Sequence, residues 1–67
     1  MADDACSLRN GAYAVFKDDI INIAYKVNVT VSFKQLQNGR YRVDLSGRKQ
    51  HVSFMYNFVS TLNNIGF

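Results

Sequence analysis

Glutamate and proline are absent from this chain, and cysteine and histidine occur once each, at Cys6 and His51. A single cysteine excludes an intrachain disulfide and falls far short of a zinc site. It fits a reducing compartment, so a cytoplasmic location is expected. Without proline there is no marker of a linker, and nothing divides the 67 residues internally. No apolar run approaches the ~18 residues a membrane span needs, so no membrane partner is expected. The opening Met1-Ala2-Asp3-Asp4-Ala5 is acidic and polar, unlike a secretory signal. Glycine is scarce, and none of it forms a phosphate-cradling loop: Gly39 and Gly47 sit where turns are wanted.

What is present suffices for one small core. Hydrophobic residues make up 48% of the chain, which argues against general disorder. The expected organisation is a flexible start over residues 1–7 and a single domain over 8–67. Charge is unevenly placed. Residues 1–26 hold Arg9, Lys17 and Lys26 against Asp3, Asp4, Asp18 and Asp19. Residues 27–67 hold Lys34, Arg40, Arg42, Arg48 and Lys49 against Asp44 alone. A cationic cluster between positions 34 and 49 points to an anionic partner.

Periodicity divides the chain further. Over residues 12–25, Phe16, Ile20, Ile23 and Val27 line an apolar stripe opposite Asp18, Asn22 and Lys26, which predicts a helix. A β-hairpin turning at Asp18-Asp19 is the alternative. From Val27, the apolar residues Val27, Val29, Val31 and Phe33 alternate with polar ones, as do Tyr41, Val43 and Leu45. Asn38-Gly39 lies between these strands. Facing residues of paired strands share a face, so apolar must meet apolar. A two-residue turn would set Phe33 opposite Asp44. A three-residue loop, Gln37-Asn38-Gly39, sets Phe33 opposite Val43 and Val31 opposite Leu45, with Gly39 left-handed beside a bulge. By the same rule a four-residue loop, Ser46 to Lys49, leads into a third strand, Gln50 to Phe54, pairing Val43 with Val52 and Asp44 with His51. Met55, Phe58, Val59 and Leu62 then repeat at helical spacing, with Ser53 as N-cap and Gly66-Phe67 as a Schellman ending.

The expected fold class is therefore α+β: a three-stranded antiparallel β-meander with an N-terminal and a C-terminal helix packed on one face (α-β-β-β-α). This order and length resemble the double-stranded-RNA-binding domain. That family's Lys-rich start to the last helix is here Ser53-Phe54-Met55-Tyr56-Asn57, so no RNA-contacting residues carry over. The stretch from Gly39 through Gly47-Arg48-Lys49 to Phe54 also resembles the three-stranded DNA-binding arm domains of phage-type integrases.

Catalytic chemistry has little material. An Asp44–His51 pair with Ser53 on a flat sheet face lacks a concave, water-excluding site, and adjacent Asp18 and Asp19 do not converge on a cation. No enzyme activity, metal or cofactor is expected. The expected function is a small non-catalytic binding protein. Lys34, Arg40, Arg42, Arg48, Lys49 and His51 would engage nucleic acid or another anionic partner from a basic sheet face and its loops. The alternative is a phage- or plasmid-type small inhibitor or adaptor that binds a host protein. A homodimer through the unpaired Val27–Phe33 edge is a third expectation.

Overall fold

The computed structural model describes residues 1–65. Its elements are β1 (Ala2–Leu8), α1 (Asn10–Lys26), β2 (Thr30–Gln35), β3 (Tyr41–Gly47) and α2 (Lys49–Asn63). The strands form one antiparallel sheet in the order β1-β3-β2. Both helices lie on one face: α2 packs against β1 and β3, and α1 against β2 and α2. The chain is thus α+β, with three antiparallel strands and two helices, connected as β-α-β-β-α. The Gly66-Phe67 ending lies outside the described residues.

The β2–β3 hairpin follows the parity argument. Phe33 faces Val43, Val31 faces Leu45 and Lys34 faces Arg42. Leu36 N–H donates to Arg40 C=O at 2.8 Å, Gly39 N–H donates to Leu36 C=O at 3.2 Å, and Gly39 has φ +81°. These bonds define a three-residue loop whose left-handed glycine carries the extra residue of the bulge.

The helix expected over residues 12–25 forms, as the middle of α1, and the alternative hairpin at Asp18-Asp19 does not. The inner side of α1 buries Ala12, Ile20 and Ala24, with Tyr13, Phe16 and Ile23 half-buried beside them. Strand β2 starts at Thr30, three residues later than expected, because the preceding residues end the helix. Asn28 is left-handed at φ 58°. Asn28 N–H donates to Tyr25 C=O and Val29 N–H to Ala24 C=O, at 3.3 and 2.9 Å. That is a Schellman ending with asparagine in place of glycine, sealed by two buried residues, Val29 and Ala24.

The third strand is not Gln50 to Phe54. Those residues belong to α2, whose Val52, Met55, Val59 and Leu62 are buried at i, i+3, i+7 and i+10. The strand reading rested on Val52 and Phe54 alone, and Phe54 is 51% exposed. The expected loop from Ser46 to Lys49 shrinks to Arg48, which is the helix N-cap, so Ser53 caps nothing. Gly47 is buried at this corner, where an added Cβ would stand 3.2 Å from Asn28 O and 3.4 Å from Val29. The place beside β3 is taken by Ala2–Leu8, so residues 2–7 of the expected flexible start over 1–7 are strand. Leu8 faces Tyr41, Cys6 faces Val43 and Asp4 faces Leu45. The helix-first order shared with the double-stranded-RNA-binding domain is therefore absent, as is the three-stranded run shared with integrase arm domains.

A side chain from the far end of the chain locks β1 to α1. The Asn63 amide accepts from Arg9 N–H at 2.8 Å and donates to Ser7 C=O at 2.5 Å. It bonds as a peptide group would, satisfying backbone at the strand–helix junction.

Candidate interaction face

Neither helix covers the outer face of the sheet. The register makes it a three-by-three array. Lys34, Arg42 and Ser7 form the row nearest the hairpin loop. Ser32, Asp44 and Ala5 form the middle row, and Thr30, Ser46 and Asp3 the last. Five of the nine are alanine, serine or threonine, so the floor is low and a partner's backbone can approach closely. A concavity of about 480 Å³ opens here, lined by Asp3, Ala5, Thr30, Ser32, Arg42 and Asp44 among others.

The expected basic residues divide between the two ends of β3. Lys34, Arg40 and Arg42 stand at the hairpin end. Arg48, Lys49 and His51 stand at the Gly47 end, on the first turn of α2. Seven residues of strand separate them, about 20 Å at ~3.3 Å per residue. Lys34 does face Arg42 across the strands, but the neutralising charge is the chain's own. Arg42 Nε contacts Asp44 Oδ1 at 2.9 Å, two residues along the same face. Both side chains are about half exposed, so the pair is worth at most ~1 kcal/mol. Arg40 Nε donates to Ser7 Oγ at 2.6 Å, tying the start of β3 to β1. The single basic face expected from the sequence is thus a mixed-charge face with a cationic corner at each end.

At the Gly47 corner, α2 has no side-chain N-cap and no acidic residue in its first turn. Arg48 and Lys49 therefore lie at the positive end of the helix dipole, where cations are disfavoured. His51 borders a second concavity with Met1, Asn28, Gly47 and Arg48, and its Nδ1 is buried with no hydrogen-bond partner among the described residues. The expected Asp44–His51 pair does not form, since Asp44 lies on the open face and His51 on a helix of the covered one. Among the described residues no three His, Cys, Asp or Glu side chains gather as metal ligands, and no helix is long and apolar enough to cross a membrane.

On the covered face, aromatic rings gather at the hairpin end. Tyr13 stacks on Tyr41 at 3.6 Å between centroids and meets Phe33 edge-on at 5.3 Å, with Lys17 Nζ 5.5 Å from the Tyr13 ring. Phe33 and Tyr41 were expected on this face, and among the described residues the open face has no ring for base stacking.

Cys6, in β1, is half-buried against the core, its Sγ 4.0 Å from Val43 O. Burial, and secondarily the charges of Asp4 and Asp44, push its thiol up to about 11. The thiolate fraction near pH 8 is then about a hundredfold below that of a thiol titrating at 9.0. The thiolate of higher pKa is the stronger nucleophile and offsets part of that factor, so labelling with a disulfide reagent is expected to be about tenfold or more slower in the folded chain than in urea; equal rates would contradict the burial. Because the folded state holds a proton that the unfolded state releases, the thiol's contribution to stability is present below pH 9. It is lost as pH rises through 11.

No family, no curated protein and no solved structure matches the chain.

Proposed function

We propose that this chain is a non-catalytic binding module that docks a protein partner on the outer face of its sheet, as an adaptor or inhibitor does. The observation carrying this reading is the open face itself: low, shallowly concave and of mixed charge, with Lys34 and Arg42 at one end and Asp3 at the other. A face carrying both signs suits a protein surface, where complementary charges set register. A phosphate backbone would meet Asp3 and Asp44 as repulsive groups.

A second reading is an anionic partner, nucleic acid included. It is favoured by Arg48 and Lys49 at the uncapped positive end of α2, where an anion would offset an unfavourable arrangement.

Affinity capture with the tagged chain separates the two. The Ala5→Arg/Ser32→Arg variant fills the open face, and the Arg48→Ala/Lys49→Ala variant strips the corner. The protein reading expects one stoichiometric protein retained after nuclease treatment, lost from the first variant and kept by the second. Retention that needs nucleic acid and fails in the second variant would replace it with the anionic reading.

A further inference from the structure

We infer that the free edge of β2, together with the flank of α1 beside it, is a pairing surface for a second copy of this chain, joining two three-stranded sheets into one of six. The sheet order leaves β1 and β2 as edges. They are unequally defended. Edge strands avoid pairing with other chains by carrying charge, above all charge on the inward side. β1 does both, with Asp3 on the open face and Asp4 on the helix face. β2 reads Thr-Val-Ser-Phe-Lys-Gln, with Lys34 its one charge.

The hairpin fixes which backbone groups of β2 are free. The Leu36–Arg40 pair is hydrogen-bonded. In an antiparallel pair, bonded and non-bonded positions alternate, so Lys34, Ser32 and Thr30 also point their N–H and C=O groups at β3. Those of Val31, Phe33 and Gln35 point away from the sheet. A strand added in two-fold, antiparallel fashion must therefore bond odd-numbered residues to odd-numbered residues. Placing the axis at Ser32 does so. Val31 then faces Phe33 of the second copy, twice, and Thr30 faces Lys34, twice. Apolar meets apolar on the helix side, and no like charges oppose one another on the open side.

The helix above this edge is shaped for the same contact. α2 occupies the β1–β3 side, and the flank of α1 bearing Ala12, Phe16 and Ile23 is buried or half-buried beside the core. Helical spacing sets Lys17, Ile21 and Tyr25 on the opposite flank, which the right-handed course of a crossover from β1 to the parallel β2 turns toward the free edge of β2. There Tyr25 is 84% exposed and Ile21 is 38% exposed, at i and i+4. A two-fold across the β2 edge brings the two α1 flanks together and covers these side chains.

Sedimentation over a concentration series, with far-UV circular dichroism to verify folding, tests the inference. The wild-type chain is expected to pass from its 7.6 kDa monomer mass to twice that value. Val31→Pro removes an outward N–H without touching the β3 ladder, and Ile21→Lys/Tyr25→Lys charges the flank while leaving the core intact. Each is expected to weaken association about tenfold or more. If Val31→Pro fails to fold, the helix variant decides alone. A wild-type chain that stays monomeric at millimolar concentration, or a dimer that a folded variant leaves unchanged, overturns the proposal.

Discussion

A chain lacking residues 1–8 is expected to lose its cooperative thermal transition. Those residues pair along the whole length of β3 and supply one wall against which α2 packs. Without them the backbone groups of Tyr41, Val43, Leu45 and Gly47 that face β1 lose their partners, and β2–β3 becomes a two-stranded ribbon, marginal in water on its own. A domain of this size has only about 3–10 kcal/mol to lose. Circular dichroism during heating gives the answer: a sloping trace is expected, and a sigmoidal melt within a few degrees of the full chain would mean that β1 adds little.

The second large effect is at the start of α2. Met55→Ala is expected to cost about 2–5 kcal/mol, the range for truncating a buried methionine, because Met55 is fully buried against the sheet. Phe54→Ala, one position away, is expected to cost under 1 kcal/mol, since half its surface is exposed. A strand at Gln50 to Phe54 reverses this ranking by placing Phe54 in the core opposite Tyr41. Urea titrations of the two variants distinguish the cases through their midpoints, and a larger loss for Phe54→Ala would contradict the helix.

These two predictions fall where sequence and structure part. The β2–β3 register was legible because Val31, Phe33, Val43 and Leu45 leave only one loop length that keeps apolar opposite apolar. α1 was legible from Phe16, Ile20 and Ile23. The N-terminal strand was not: its inward positions are Ala2, Asp4, Cys6 and Leu8, and a carboxylate at the second of them breaks the alternation. Asp4 remains exposed on the edge strand, so a strand accommodates it, but periodicity does not reveal it. At residues 50–54 two alternating apolar residues outweighed a helical repeat that begins at Val52.

The candidate site differs from the expected one for the same reason. Assigning Gln50 to Phe54 to the sheet placed His51 opposite Asp44 and gathered all six basic residues around one face. With the helix in its place, three of them move to the far corner, and β1 brings Asp3, Ala5 and Ser7 to the open face instead. The Lys34–Arg42 juxtaposition survives, and the sequence carried a signal for its neutraliser. Asp44 stands two residues after Arg42 in a strand, so both side chains share a face.

Every functional reading of the open face requires β1 to lie beside β3, and the contact at its centre is Ala5 against Asp44. That pair is a non-hydrogen-bonded one by the alternation that starts at Leu36–Arg40, so its Cα atoms approach to about 4.5 Å. A nuclear Overhauser spectrum of the full chain is expected to show strong Hα–Hα cross-peaks between Ala5 and Asp44 and between Ser7 and Arg42. Random-coil shifts for residues 2–8 with neither cross-peak would remove the strand, and the proposed face with it.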